Sequence, residues 1–247
     1  DSKYLEALLV CLDYIESYFG GPLYEVLQYY GPYLNAKMNT LQGTDYDLVK
    51  AFGRVFDGAS IPRGGWGVIS KVWGDYDMSG LFGSTTDRGG YAFSMNTFAG
   101  VQALLPAVKY APEYGAALGD LVLRTTQNSQ YYFAANSEEA RQSTSRLEVE
   151  IAPEIQELLP YEGIINSYNA STPWFGGDPT INDWAQTDFS LYSGAHIGIM
   201  AHRLEPTNVE GILKLALNEL SASEQLPFYL LYNPFDEAKT VEYRATT

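Results

Sequence analysis

At 247 residues, the chain is long enough for one large domain or two small ones. Its hydrophobic fraction of 46% can fill a sizeable core, and its 30 acidic against 15 basic residues give a formal net charge of −15. Because nucleic-acid binding depends on Lys and Arg neutralising phosphates, this balance argues against a nucleic-acid partner. It equally disfavours an anionic membrane surface, and it favours sugars, neutral polymers or calcium as partners.

The sequence also carries indications of location. It has no apolar run near the roughly 18 residues of a membrane-spanning helix, so we expect no membrane insertion. The single cysteine, Cys11, excludes an internal disulfide. The chain opens at Asp1 directly before a predicted helix, which indicates a mature form or a processed piece. The acceptor sequence Asn169-Ala170-Ser171 and the 20 tyrosines favour a secreted, extracellular protein.

Helical periodicity begins at the start of the chain. One apolar stripe predicts a first helix that stops at Gly20-Gly21, and it consists of Leu5, Leu8, Leu9, Leu12 and Ile15. Pro22 then opens a second helix through about Tyr30. A further amphipathic helix is predicted from Met95 to Val108, and the segment "AALGDLVLRTTQNSQYYF" returns the chain as its partner.

The last third of the chain repeats this pattern. We expect a helix from about Thr187 to Leu204, a break at Pro206, and another helix in "VEGILKLALNEL". The segments "FYLLYN" and "KTVEYRA" predict a terminal β-hairpin. Long glycine-rich and aromatic segments, 57–92 and 161–186, separate the helical units, and loops of that length usually carry function. We therefore predict a single, mainly α domain over residues 1–247.

Two segments resemble a known group of proteins, residues 87–123 ("DRGGYAFSMNTFAGV…") and residues 183–217 ("DWAQTDFSLYSGAHIGIMA…"). They are similar to α/α-toroid carbohydrate-active proteins, which include six-hairpin glycosidases and heparinase-like polysaccharide lyases. The whole chain also resembles uncharacterised secreted bacterial proteins of this type. The resemblance implies an α/α-toroid-like array of antiparallel helical hairpins. The chain supplies fewer helices than a complete toroid, which implies a partial toroid, a shorter variant or a fragment of a larger protein.

A calcium loop is the first candidate site. Asp75, Asp77 and Ser79, followed by Gly80, match the first half of an EF-hand-like loop, in which alternating oxygens converge on one cation. The twelfth position is Thr86 where a bidentate Glu is expected. The alternative is an Asx turn, in which the carboxylates accept backbone N–H groups.

A sugar cleft is the second candidate site, formed by the two long segments. In such a cleft, rings stack on sugar faces and polar side chains bind hydroxyls. The first segment offers the rings of Trp66, Trp73, Tyr76 and Tyr91 with the polar groups of Asp75, Asp77 and Arg88. The second segment offers Glu162, Trp174, Asp178, Asp183 and Trp184. The alternative is that the rings pack the loops onto helix ends.

A possible acid–base group lies in the predicted helix from 187 to 204. Asp188, Tyr192 and His196 are spaced i, i+4, i+8, which places them on one helix face as acid, base and orienting group. The alternative is a buried, hydrogen-bonded histidine. No H-E-x-x-H or C-x-x-C motif supports zinc, and no G-x-S-x-G or G-x-G-x-x-G motif supports a serine nucleophile or a nucleotide.

Three functions fit these residues. A glycoside hydrolase needs paired carboxylates, for which Asp75, Asp77, Asp87, Glu162, Asp183 and Asp188 are candidates. A polysaccharide lyase would use Tyr91, Arg88 and Asn96 with Tyr192 and His196, although the negative charge of the chain disfavours a polyuronate. The third function is a non-catalytic extracellular protein that binds sugar or assembles, by self-association, into a filament or surface layer.

Overall fold

A computed structural model describes most of the chain, namely residues 2–58, 65–146, 152–182, 188–190, 193–219 and 227–242. Helix outweighs strand, and three antiparallel sheets are present in these ranges. The α-helices are α1 Ser2–Ser17, α2 Val26–Gln42, α3 Leu48–Phe56, α4 Ser94–Leu104, α5 Gly115–Asn128, α6 Pro153–Leu158, α7 Asp178–Ile181 and α8 Ser193–His202. Short 3-10 turns follow α4 and α5 and continue between residues 129 and 146.

The strands form one large and two small sheets. They are β1 Trp66–Val68, β2 Val72–Trp73, β3 Tyr76–Asp77, β4 Phe82–Ser84, β5 Tyr91–Phe93, β6 Gly163–Ile165, β7 Trp174–Phe175, β8 Leu204–Pro206, β9 Leu213–Ala216 and β10 Tyr229–Leu231. The five-stranded sheet has the order β1-β4-β5-β6-β7, and the three-stranded sheet has the order β10-β9-β8. The strands β2 and β3 form a separate hairpin.

The five-stranded sheet joins the two long segments that separate the predicted helices. Tyr91 pairs with Ser84 on β4 and with Ile165 on β6, so β5 lies at the centre of the sheet. Every residue of these five strands is buried. The sheet is therefore an internal layer of the main hydrophobic core, and it places strands from segments 57–92 and 161–186 side by side.

Helix α4 runs through the centre of the molecule. Ten of its residues are buried, including the polar Asn96, Thr97 and Gln102. It contacts α2 and α8, and β4 packs against it as well. A helix that is surrounded on all sides has no solvent-facing stripe, which explains why its apolar residues are spread around its circumference.

The N-terminal helix packs on a small satellite core. Leu12, Met38 and Tyr46 form the buried centre of this cluster, with Leu8 and Ile15 of α1 packed against it. Helix α3 holds α1 in place, because its buried Arg54 donates hydrogen bonds to the carbonyl oxygens of Ile15 and Tyr18, both at 2.9 Å. Asp47 caps α3 by accepting the N–H of Lys50 at 2.9 Å.

The prediction of an α/α-toroid is wrong. Helical hairpins would have to stack throughout the chain, whereas the glycine-rich segments expected to be loops form the strands of a central antiparallel sheet. The fold is mixed α/β. The hairpin predicted from Met95 onward is present in part, because 3-10 turns between residues 105 and 114 connect α4 to α5.

The C-terminal elements also differ from the prediction. The segment expected to form a helix after Pro206 contains β9, whose edges are taken by β8 and β10. The expected terminal hairpin is wrong because Tyr229–Leu231 pairs with β9, and residues 239–242 are not in a strand. Helix α8 begins at Ser193, later than the expected start at Thr187.

Within the described ranges, no helix has both the length and the apolar content that crossing a membrane requires.

Candidate functional site

Glu162 lies at the junction of several elements, directly before β6. Its Oε2 accepts a hydrogen bond from the Tyr91 hydroxyl at 3.0 Å and another from the backbone N–H of Asp178 at 2.9 Å. Its own backbone N–H donates to the carbonyl oxygen of Asp188 at 2.6 Å, and its carbonyl oxygen accepts the N–H of Ser94 at 2.8 Å. With 5% of its surface exposed, Glu162 connects β5, α4, α7 and the chain before α8.

Asp188 is the second buried carboxylate, and it is fully excluded from solvent. Both carboxylates approach the dipeptide Gly176-Gly177. A Cβ at Gly177 would lie 2.3 Å from Oε2 of Glu162, and a Cβ at Gly176 would lie 2.8 Å from Oδ2 of Asp188. Both distances are too short for any side chain, so glycine at these two positions makes room for the acids.

Hydroxyl groups extend this network. The Oγ of Ser193 lies 2.9 Å from that of Ser94 and 2.7 Å from that of Ser190, which ties the start of α8 to the start of α4. Tyr161 donates to Oε1 of Gln142 at 2.9 Å, and its hydroxyl oxygen lies 2.7 Å from Oγ1 of Thr144. These groups are buried or partly buried and hydrogen-bonded, as internal polar groups need to be.

Burial controls the chemistry of Tyr161. Its pKa is raised to about 12 by burial, and the negative charge of Asp188 also raises it. A phenol with this pKa stays protonated at neutral pH and cannot act as a base there. The network of Glu162, Asp188 and Tyr161 therefore joins chain segments inside the protein, and its carboxylates have almost no solvent-exposed surface.

The expected ring platforms lie in the core. Trp66 and Trp174 are 0% and 1% exposed, and Trp73 and Tyr91 are 2% and 4% exposed. Tyr76 is half-buried on β3. Trp184 and Asp183 lie outside the described residues, so their positions stay predictions. Of the rings expected to stack on sugar that the structure describes, only Tyr76 is half-buried rather than buried.

The expected stripe of Asp188, Tyr192 and His196 is not formed as predicted. Asp188 precedes α8 instead of lying on it, and Tyr192 is outside the described residues. His196 lies on α8, half-buried, with its Nδ1 3.5 Å from Nε2 of Gln102 on α4. Burial lowers the pKa of His196, which favours a neutral imidazole at pH 7. This arrangement agrees with the alternative of a packed histidine.

The aspartates of the expected calcium loop form a turn. Oδ1 of Asp77 accepts the backbone N–H of Ser79 at 2.9 Å, which is an Asx turn, and Asp75 is exposed. Among the described residues, no three His, Cys, Asp or Glu side chains are close enough together to hold a metal ion. The Asx turn therefore replaces the calcium interpretation.

Three chain segments, the first of which is the turn of the β2–β3 hairpin, meet at one end of the five-stranded sheet. We name them the three-loop surface, and they comprise residues 73–77, 86–90 and 166–172. Asn166 donates hydrogen bonds to two backbone carbonyl oxygens, from its N–H to that of Gly90 at 2.9 Å and from its Nδ2 to that of Gly89 at 3.0 Å. The ring of Trp73 packs against Gly90, and Tyr76 of the first loop packs on Phe175, with ring centres 5.1 Å apart. The two segments expected to form a cleft do meet here.

The three-loop surface presents a mixture of groups to solvent. Arg88 is exposed and Asp87 half-buried, and Arg88 adopts a left-handed backbone conformation with φ 51°. Tyr168 is half-buried, its ring 5.5 Å from that of Trp174. Tyr168 and Asn166 were not predicted from the sequence. The available signal was their position in the short turn after β6, where side chains leave the buried sheet.

No protein-family model, curated protein or solved structure was found to match the chain. Relatives therefore add no support for a glycoside hydrolase, for secretion or for calcium, and the described residues do not form the toroid that suggested a glycoside hydrolase.

Proposed function

We propose that this protein binds a neutral saccharide through the three-loop surface and does not cleave it. The observation that carries the proposal is the meeting of both long segments at one end of the sheet, with half-buried rings and exposed polar groups on the same surface. Saccharide sites combine these two kinds of group, because a sugar ring has both an apolar face and a rim of hydroxyls.

The half-buried tyrosines supply the ring faces. Tyr76 contacts Tyr131 and Phe175, with ring centres 5.2 and 5.1 Å away, and Tyr168 packs against Trp174. Each ring is therefore held in place by other aromatic residues. A supported ring loses little conformational freedom when a ligand stacks on it, which favours binding.

Polar groups for hydroxyls surround these rings. Within the described part of the chain, the exposed guanidinium of Arg88 makes no hydrogen bond or ion pair, so its donors are available to a ligand. The carboxylate of Asp75 is exposed as an acceptor. The net charge of −15 favours a neutral ligand over a polyanionic one.

The backbone of this surface is held in uncommon conformations. Arg88, Asn169 and Ala170 have φ values of 51°, 47° and 65°. Non-glycine residues in the left-handed region cost free energy, and such strain is concentrated at binding sites. The strain therefore supports a surface shaped for a ligand.

The position of the two buried acids, Glu162 and Asp188, supports a binding function without cleavage. Hydrolysis needs two carboxylates that reach the substrate. Glu162 and Asp188 are 5% and 0% exposed, and Oε2 of Glu162 already accepts two hydrogen bonds from the protein. The extracellular location that the sequence predicts suits this function and stays a prediction.

Titration calorimetry against a panel of neutral and acidic polysaccharides tests the proposal. We expect binding to a neutral polymer, weakened at least about tenfold by Tyr168→Ala or Tyr76→Ala, as for other aromatic contact residues. Arg88→Ala should also weaken binding, whereas the matched control Arg124→Ala, an exposed arginine on α5, should not. Binding that none of the three loop variants changes would contradict the proposed surface. New reducing ends or unsaturated products would contradict the non-catalytic function.

A further inference from the structure

Helix α1 is apolar on two sides. Leu5, Leu8, Leu9, Leu12 and Ile15 face the satellite core, as their burial and contacts show. A second apolar arc points away from the protein, and it consists of Tyr4, Ala7, Val10, Cys11 and Tyr14. Half-buried Tyr18 directly follows the helix and extends this arc, because its ring lies 5.6 Å from that of Tyr14. At about 100° per residue, this outer arc covers about 120° of the helix circumference. A helix that is apolar on both sides is normally covered on both sides.

The outer arc is open to solvent. Tyr4 and Val10 are each 68% exposed, Tyr14 is 59% exposed, and Phe19, just beyond the helix, is 92% exposed. An open groove of about 840 Å³ follows this arc, lined by Val10, Cys11, Tyr14, Ile15, Tyr18, Pro22 and Leu23. Contiguous exposed apolar surface of this kind marks interaction sites.

We propose that this groove binds α1 of a second copy of the same chain, with the two helices antiparallel. The spacing of the outer arc supports a helix as the occupant. Tyr4, Ala7, Cys11, Tyr14 and Tyr18 follow one another at intervals of three and four residues, which is the pattern of helix-to-helix packing.

Side-chain size supports self-pairing. In an antiparallel pair, one register places Ala7 opposite Tyr18 of the second copy and Cys11 opposite Tyr14 of the second copy. Each small side chain then faces a large one, so the arc is complementary to itself. A surface that is self-complementary in this way forms a twofold-symmetric interface.

Charge also favours a second copy at this place. The acidic side chains Glu6 and Asp13 lie together on a different side of α1, so two copies of this acidic chain can meet here without opposing carboxylates. Lys3 lies at the start of the outer arc. The antiparallel arrangement brings it to the C-terminal end of the other helix, where a cation is favoured.

The available area is sufficient. Given about 150–250 Å² for a buried aromatic side chain, the exposed arc residues Tyr4, Ala7, Val10, Cys11 and Tyr14 offer on the order of 500 Å² per copy. Two copies would bury about 1,000 Å², which reaches the minimum expected for a specific interface.

Sedimentation equilibrium of the full chain from micromolar to millimolar concentration tests the inference. We expect a dimer whose dissociation constant rises at least about 100-fold in Val10→Glu and Tyr14→Glu, because each buries a charge in the apolar seam. The matched control is Val72→Glu, since Val72 is an exposed valine on β2, at 65% against 68% for Val10. It should leave the dimer unchanged.

The reactivity of Cys11 provides a second measurement. It is exposed and is the single cysteine of the chain, so a thiol reagent reports on this arc alone. Its modification should slow as the protein concentration rises, and this slowing should disappear in Val10→Glu. A chain that is monomeric at every concentration would overturn the inference. A dimer that both α1 variants leave intact, or that Val72→Glu weakens equally, would overturn it as well.

Discussion

The guanidinium of Arg54 donates a hydrogen bond to the carbonyl oxygen of Tyr18 at 2.9 Å, across the junction of α3 with the end of α1. A second bond of the same length reaches the carbonyl oxygen of Ile15. Carbonyl groups at the C-terminal end of a helix have no partner within the helix, and a cation there also interacts favourably with the helix dipole. Arg54 thus attaches α1 to the rest of the protein.

Replacing Arg54 should therefore loosen α1. We expect Arg54→Met to lower the free energy of unfolding by about 1.5–3 kcal/mol, the range for hydrogen bonds made by charged groups. Urea unfolding followed by circular dichroism measures this loss. Arg124→Met is the control, because Arg124 is exposed and forms its ion pair with Asp120 on its own helix. Equal losses in the two variants would show that Arg54 does not hold α1.

Any side chain at Gly177 should destabilise the protein, because the buried Glu162 lies against this position. Gly177→Ala places a Cβ 2.3 Å from Oε2 of Glu162, so we expect it to destabilise the protein by about 1–3 kcal/mol through overpacking. Gly198→Ala on α8 is the control, since no atom lies within 4 Å of its added Cβ. That change should stabilise the protein by about 0.5–1 kcal/mol, because alanine favours a helix. Thermal unfolding of both variants measures these changes in stability. If Gly177→Ala were as stable as wild type, the close packing of Glu162 against Gly177 would be contradicted.

The capping of α3 can be tested in the same way. Asp47→Ala removes the side chain that accepts the N–H of Lys50 and should lower the free energy of unfolding by about 1 kcal/mol. Asp47→Asn should retain most of that stability, because its amide oxygen can accept the same bond. The exposed neighbour Asp45 provides the control Asp45→Ala. If Asp47→Ala and Asp45→Ala unfold at the same urea concentration, the cap contributes nothing.

The raised pKa of Tyr161 predicts a loss of stability at alkaline pH. Its pKa is about 12 in the folded protein, against about 10 for an unfolded tyrosine. The contribution of this raised pKa to the free energy of unfolding is fully present below about pH 10 and is lost as the pH rises through the folded value of about 12. Between about pH 10 and 12, only the unfolded chain releases the phenol proton readily. Unfolding free energies should therefore fall less steeply in Tyr161→Phe than in wild type between about pH 10 and 12. If the free energies of unfolding of wild type and Tyr161→Phe fall equally steeply with pH, the pKa of Tyr161 is not raised in the folded protein.

The sequence predicts individual helices better than it predicts which elements pair with one another. The segment from Leu5 to Ile15 is helical as expected, and its apolar stripe faces the satellite core. The segment around Leu213, in contrast, forms a strand although its pattern favours a helix. Leu215 and Leu217 are buried and alternate with less buried neighbours, and β8 and β10 supply hydrogen-bond partners on both sides. This tertiary pairing decides the structure, and no local pattern reports it.

The candidate site shows the same limit. Interleaved glycine, tryptophan and aspartate suit a cleft and a buried sheet equally well, since in both cases rings and backbone lie close together. Trp66 and Trp174 are in the core because the strands that carry them are covered on both faces. The proximity of segments 57–92 and 161–186 could be predicted from the sequence. Which of their rings faces solvent depends on the strand register, which the sequence does not show.

The pairing of β5 with β6 has a consequence for synthesis. The strands are neighbours in the sheet, yet α4, α5 and α6 all lie between them in the chain. During synthesis, β5 and the apolar strands that precede it therefore leave the ribosome much earlier than β6. Until Ile165 emerges, the edge of β5 that pairs with β6 stays open. Such distant pairings form slowly and leave strand edges open to wrong partners. Newly made chains of this protein should therefore need chaperone protection until β6 has left the exit tunnel.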